Sequence, residues 1–148
     1  MIANYWPHLL ALLVGMGLTV QVGMNMTIAR VVGTPVWASV ANFGVGLVAL
    51  LATAMVIGSR PAPGTIGQVP LWAWFGGVLG AAYVASVTLL GPRIGAMTMV
   101  ALAITGQLIA SLAVDHFGVL GYPQIPISLT RLFGAALLLV GALLVMRR

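Results

Sequence analysis

Residues 36–57, with the sequence VWASVANFGVGLVALLATAMVI, decide the fold of this chain. The stretch carries no charged side chain and is long enough to cross the hydrocarbon core of a bilayer, which takes about 20 mainly apolar residues. Lipid offers no hydrogen-bond partner to the backbone, so every N–H and C=O must be paired within the segment, as in a helix. The stretch therefore predicts a transmembrane α-helix.

Four further stretches are also long and mainly apolar. The connectors between all five carry charge, proline or both. These four predicted spans are residues 6–28, 71–90, 96–114 and 129–146. No segment shows the roughly ten-residue alternation that is typical of a membrane β-barrel. Tryptophans, which favour the membrane interface, lie near the span ends at Trp6, Trp37, Trp72 and Trp74.

We therefore predict an all-α integral membrane protein with five transmembrane helices in a single transmembrane domain, residues 1–148. The N-terminus lacks the basic region and cleavage site of a signal peptide, so we expect the first span to be retained.

The composition excludes a soluble domain and argues against a nucleic-acid partner. The chain is 61% hydrophobic and 5% charged, whereas soluble domains carry about 25% charged residues. Its net charge of +5 comes from six arginines, which are scattered between apolar runs, and one aspartate. Nucleic-acid binding needs basic residues that cluster on one face, whereas arginines between spans are typical of a membrane boundary.

Few residues are available for catalysis or for metal binding. Cysteine is absent, Asp115 is the only side-chain carboxylate, and the two histidines are His8 and His116. This set leaves almost no general acid–base or nucleophilic machinery. We expect the chain not to be an enzyme, and we expect no metal or cofactor.

Five spans place the two termini on opposite sides of the membrane. The side of the C-terminus holds Arg30, Arg93, Arg147 and Arg148, and the other side holds Arg60 and Arg131. The difference, 4 − 2 = 2, weakly favours a cytoplasmic C-terminus and leaves dual topology open. Between the third and fourth spans, Gly91-Pro92-Arg93 predicts a tight hairpin turn.

Polar side chains inside the spans are costly, and they usually face the bundle interior or a wet cavity. Gln21 and Asn25 share one face of the first helix, and Gln107 and Ser111 share a face of the fourth. We predict a shared polar cavity whose substrate-binding residues are Gln21, Asn25, Asn42, Tyr83, Gln107 and Ser111. The alternative is that these groups only hold helices together through interhelical hydrogen bonds. Thr98 and Thr105 are expected to bond to their own helix.

Asp115 ends the fourth predicted span. It is expected to form a salt bridge with Arg131 in the following connector, and proton coupling with the adjacent His116 is the alternative. Gly134 and Gly141 lie seven residues apart on one face of the last span. Small residues let helices approach closely in lipid, so we predict a dimer interface there, with packing inside the same chain as the alternative.

The chain resembles a known family in several of these segments. The segments are 91–98 (GPRIGAMT), 106–107 (GQ), Ser111 and 115–118 (DHFG), together with Gln21, Asn25 and Asn42. They are similar to the DUF606 (YdcZ-like) family of the drug/metabolite transporter superfamily, and the resemblance covers nearly the whole chain.

The resemblance implies a multi-pass protein of the bacterial inner membrane that forms part of a small-solute secondary transporter. A five-span chain can be half of an inverted-repeat transporter, because two copies in opposite orientations form a pseudo-twofold pair. The expected partners are the lipid bilayer, a small-molecule substrate, and either a second copy in an antiparallel homodimer or an oppositely oriented homologue in a heterodimer. Such a dimer would enclose a central polar cavity.

The chain departs from the small multidrug resistance proteins of the same superfamily, which carry an essential glutamate in the first helix. Here no acidic residue precedes Asp115, so a neutral polar or aromatic solute fits better than a cationic drug. The competing hypothesis is a non-transporting membrane anchor or assembly subunit. The amides within the spans favour transport, because an anchor has no need for them. The substrate, the coupling ion and the direction of transport stay open.

Overall fold

A computed structural model describes residues 5–147, and five long helices make up most of this range. They are α1 (Trp6–Val32), α2 (Pro35–Ile57), α3 (Leu71–Ile94), α4 (Ala96–Phe117) and α5 (Leu129–Met146), with a short 3₁₀ helix (Ile66–Gln68) between α2 and α3. All five are long and apolar enough to cross a membrane. The prediction of an all-helical membrane protein with five transmembrane helices is therefore confirmed.

The helices α1 and α2 pack against each other as an antiparallel pair joined by Gly33 and Thr34. Gly33 has a φ of 85°, and its N–H donates to the carbonyl of Ala29, which closes the end of α1. The Thr34 hydroxyl accepts a hydrogen bond from the Val36 N–H at 3.2 Å and caps α2. Glycine after a helix and threonine before the next are favoured at these positions.

The end of α3 corrects the predicted hairpin. The helix continues through Gly91, Pro92 and Arg93 as far as Ile94, and the break falls at Gly95, which has a φ of 85°. Pro92 lies in the final turn of α3 and lacks the N–H that would pair with the Thr88 carbonyl four residues earlier. The helix ends at Gly95, where glycine can adopt a positive φ.

The chain divides into two compact units, Met1–Arg93 and Ile94–Arg148. In the first unit, α3 approaches α1 closely at Gly91, where an added Cβ would lie 3.1 Å from the Met26 sulfur. In the second unit, α4 packs against α5. The helix α4 extends three residues past its predicted end, so Asp115 and His116 belong to its last turn.

Candidate functional site

The first unit contains a pair of hydrogen-bonded amides between two membrane spans. The Gln21 Nε2 on α1 donates to the Asn42 Oδ1 on α2 at 3.1 Å, in a partly buried position. One bond uses only part of the hydrogen-bonding capacity of two carboxamides. The Gln21 carbonyl oxygen and the Asn42 amino group have no further hydrogen-bond partner among the described residues, so the pair can still both accept and donate hydrogen bonds.

Asn25 lies one helical turn beyond Gln21 and is 2% exposed. Its Nδ2 has no hydrogen-bond partner among the described residues. Because Gln21 faces Asn42 across an antiparallel pair, Asn25 lies level with Ala38, which is fully buried, and with Ser39. The Ser39 hydroxyl donates to the Pro35 carbonyl at 3.0 Å. The residues of α2 at the level of Asn25 are thus small.

Of the other three predicted binding residues, Tyr83 belongs to the first unit, whereas Gln107 and Ser111 belong to the second. Tyr83 on α3 is exposed, and on α4 both Gln107 and Ser111 are exposed. The Ser111 hydroxyl donates to the Leu108 carbonyl at 3.0 Å, within its own helix. The structure brings Gln21 and Asn42 together, with Asn25 one turn further along α1. A common cavity with Tyr83, Gln107 and Ser111 stays a prediction.

The hydroxyls of two buried threonines are bonded to their own helices. Thr105 is buried, and its hydroxyl donates to the Ala101 carbonyl at 2.7 Å, as expected. Thr88 on α3 is 2% exposed and donates to the Val84 carbonyl at 2.8 Å. The sequence reasoning missed Thr88, because a threonine in an apolar run resembles a lipid-facing residue. The spacing of Thr88 and Gly91 on one helix face was the available signal.

The predicted salt bridge between Asp115 and Arg131 is confirmed. The Arg131 Nη2 pairs with the Asp115 Oδ2, so the end of α4 is joined to the start of α5. The Arg131 Nη1 also donates to the Ile125 carbonyl at 3.4 Å. The side chains of Arg131 and Asp115 are 35% and 17% exposed. The ion pair therefore lies between full burial and open solvent.

The connector between α4 and α5 folds back over the end of α4, a feature that the sequence did not predict. The Ile125 N–H donates to the Asp115 carbonyl at 2.7 Å, and the Gln124 side chain donates to the His116 carbonyl at 3.1 Å. The Ile127 N–H donates to the His116 Nδ1 at 3.4 Å. Helix C-terminal carbonyls need such partners. The connector is therefore held to α4 by both backbone and side-chain hydrogen bonds.

The predicted pairing face on α5 is open in the second unit. A Cβ added at Gly134 or at Gly141 would meet no other described atom of the second unit within 4 Å, outside its own helical backbone. Contacts within the second unit therefore give no reason for glycine at either position.

Comparison with known proteins identifies the family. A family model with the description "Putative inner membrane exporter, YdcZ" matches residues 6–144. No curated protein and no solved structure matches the chain. The matched range includes all five apolar helices almost in full. The chain belongs to the YdcZ family of drug/metabolite transporters, which is a family of inner membrane exporters and not of enzymes, and it is a multi-pass inner membrane protein.

Proposed function

We propose that the chain is a subunit of an exporter of small uncharged solutes, and that the solute binds at the amides between α1 and α2. The observation that carries the proposal is the hydrogen bond between Gln21 and Asn42 inside two apolar spans. Polar groups at such depth are costly, and they mark substrate pathways in many membrane proteins. An anchor subunit would hold α1 against α2 equally well with apolar side chains.

The charges of the chain favour an uncharged solute. Within the helices α1 and α2, the only charged side chain is Arg30, in the last turn of α1. Asp115 is the only side-chain carboxylate, and it is paired with Arg131. A charged solute at the Gln21–Asn42 pair would lose its hydration without a nearby counter-ion. Donor and acceptor groups of amides, by contrast, suit a neutral hydrogen-bonding solute.

The proposed exporter is a dimer that encloses a central polar cavity. Across the described residues, the fully buried apolar side chains are only Ala38, Val87 and Ala142, so most apolar side chains keep exposed surface that can contact lipid or a second chain. The open face at Gly134 and Gly141 would let two α5 helices approach closely. The partner is a second copy in antiparallel orientation or an oppositely oriented homologue, since inverted five-span halves form transporters of this type.

Asp115 is the proposed coupling residue. Uptake of a proton by its carboxylate would remove the charge that holds Arg131, and the link between α4 and α5 would then loosen. This step would connect protonation to a movement of α5, the helix that carries the proposed dimer face. A purely structural ion pair is the competing role, and substitutions of Asp115 and of Arg131 separate the two roles.

A thermal-shift screen tests the proposed function. Purified full-length protein in detergent is heated with neutral solutes such as amides, nucleosides and aromatic alcohols. A solute that binds only the folded state stabilises it by about 2.7 kcal/mol at 100 times its Kd. We expect at least one solute to raise the Tm of the wild-type protein, and its effect to be lost in Asn42→Ala. An anchor subunit would show no stabilising solute.

A further inference from the structure

The first unit contains a buried side-chain donor without a partner among the described residues, and a backbone carbonyl whose usual helical donor is replaced by proline. The donor is the Nδ2 of Asn25, a side chain that is 2% exposed. The acceptor is the backbone carbonyl of Thr88, a residue that is also 2% exposed. In a helix this carbonyl accepts from the N–H four residues later, but that residue is Pro92, which has no N–H.

Contacts between α1 and α3 put the two groups at a similar level along these helices. A Cβ at Gly91 would lie 3.1 Å from the Met26 sulfur and 3.9 Å from the Val22 Cγ1. Asn25 belongs to the same stripe of α1, three residues after Val22. Helical carbonyls point towards the C-terminus, so the Thr88 oxygen lies near the level of Gly91 and therefore near that of Asn25.

The Asn25 donor and the Thr88 acceptor together indicate which chemical group could bind between them. Buried polar groups are nearly always hydrogen-bonded. A hydroxyl accepts from an N–H and donates to a carbonyl at the same time, whereas a carbonyl ligand would satisfy Asn25 alone and an ammonium would satisfy Thr88 alone. Gly91, Ala38 and Ser39, the residues at this level of α2 and α3, are all small.

We propose that the Asn25 Nδ2 and the Thr88 carbonyl form a binding site for one hydroxyl group, which comes from water or from a solute. The water source is independent of the transport function. The solute source rests on the proposed function.

A double-mutant cycle on the purified full-length protein tests the site. Asn25→Leu removes the donor, and Pro92→Ala returns a backbone N–H to the Thr88 carbonyl. We expect Asn25→Leu alone to lower Tm by a few degrees, on the order of 3–6 °C. In the Pro92→Ala background, Asn25→Leu should lower Tm by clearly less, because the Thr88 carbonyl then accepts from the restored backbone N–H and no longer needs the bound hydroxyl.

The exposed Met24 next to Asn25 provides the control, since Met24→Leu should leave Tm unchanged. If no hydroxyl binds there, the opposite result is expected. Asn25→Leu would then replace an unpaired amide, and Tm would rise or stay the same. A rise, no change, or effects of Asn25→Leu and Pro92→Ala that simply add would each overturn the site.

Nuclear magnetic resonance gives an answer that does not depend on the stability of the variants. The chain has three asparagines, Asn4, Asn25 and Asn42, so ¹⁵N-asparagine labelling gives few side-chain amide signals. In a detergent without hydroxyl groups, we expect a cross-relaxation peak between the Asn25 amide and water.

Addition of short alcohols and polyols then identifies the source of the hydroxyl. A water peak that persists assigns the hydroxyl to water, and its replacement by a solute peak assigns it to a solute; both support the site. An Asn25 amide that contacts neither would contradict it. If no solute binds or is transported while the water peak remains, the proposed function fails and the hydroxyl site stands.

Discussion

At the scale of single residues, the amides between α1 and α2 have two possible roles that differ in what happens when one is removed. If Gln21 and Asn42 face a hydrated site, water replaces a deleted amide and the fold loses little stability. If their hydrogen bond only holds the helices together, stability falls and the affinity of the folded protein for a solute does not change. Measurements of Tm and affinity on the same variants separate the roles.

We predict that Gln21→Ala and Asn42→Ala each weaken solute binding by about 1–3 kcal/mol for each ligand group left unpaired, with a small change in Tm. Thr19→Ala is the matched control. Its hydroxyl is exposed on α1 and donates to the Gly15 carbonyl of its own helix, so affinity should not change. Isothermal calorimetry with a solute from the thermal screen provides the affinity. Variants that lose stability and keep full affinity would contradict the binding role.

The ion pair at Asp115 gives a second prediction at this scale. Asp115→Asn and Arg131→Gln should each lower the free energy of unfolding by about 1–2 kcal/mol, because the pair is hydrogen-bonded but partly exposed. A structural role predicts equal losses of transport in the two variants. A coupling role predicts that Asp115→Asn loses proton-driven transport while Arg131→Gln keeps part of it. Equal losses in a proteoliposome assay would remove Asp115 as the coupling residue.

The sequence predicted the ion pair but not the amide geometry, and the reason is physical. A single carboxylate near the membrane boundary has few possible partners, so Asp115 and Arg131 could be matched by side and charge. Whether Gln21 reaches Asn42, and whether Asn25 is buried, depends on the rotation and register of two helices. Apolar side chains occur on every face of each span, so hydrophobic patterning does not specify the rotation of a helix about its axis.

At the scale of helices, the sequence predicted the number and the centres of the spans. Several helices, however, end later in the chain than predicted. Hydropathy identifies the residues that are apolar enough to lie in the bilayer. A helix, however, can extend beyond these residues until its backbone is capped. The helix α1 continues to Val32 because Gly33 provides the cap, and α4 continues to Phe117 because Gly118 does. At α3, the proline of the predicted turn lies inside the last helical turn, and Gly95 makes the break.

The folded-back connector after α4 gives the prediction at this scale. Gly118 has a φ of 60°, and a Cβ there would lie 2.8 Å from the Gln124 Cβ. Gly118→Ala should therefore lower stability by about 2–4 kcal/mol, from left-handed strain and overpacking together.

Gly121→Ala separates the two causes. Gly121 has a φ of 85°, but the space beside it is open, so the loss should be only about 1 kcal/mol. Both values come from denaturation of the purified protein. Equal losses in the two variants would mean that Gln124 does not pack against the end of α4.

At the scale of the whole molecule, the exposed apolar surface and the open glycine face on α5 lead to a prediction about assembly. Leucine at Gly134 and Gly141 would hold two helices apart by a side-chain width. We expect the double variant Gly134→Leu/Gly141→Leu to shift the protein from dimer to monomer in detergent, with helicity unchanged. Gly15→Leu on α1, where the space is also open, is the control and should remain dimeric. A double variant that stays dimeric would place the interface elsewhere.

Because the chain contains no cysteine, single cysteines can be introduced into it for cross-linking without a background reaction. A cysteine near one end of α5 should cross-link efficiently between parallel copies and poorly between antiparallel ones. This comparison determines the relative orientation of the two chains, which the weak arginine bias leaves open.

Solute efflux from proteoliposomes tests the central claim most directly, namely that the amides of α1 and α2 form the solute site of an exporter. Liposomes loaded with a neutral solute from the thermal screen are prepared with wild-type chain, with Gln21→Ala/Asn42→Ala, with Thr19→Ala, and without protein. We predict faster efflux with the wild type and with Thr19→Ala than from empty liposomes, and a loss of most of this efflux with the double variant. Efflux that is equal in the double variant and the wild type, or equal in the wild type and empty liposomes, would contradict the account.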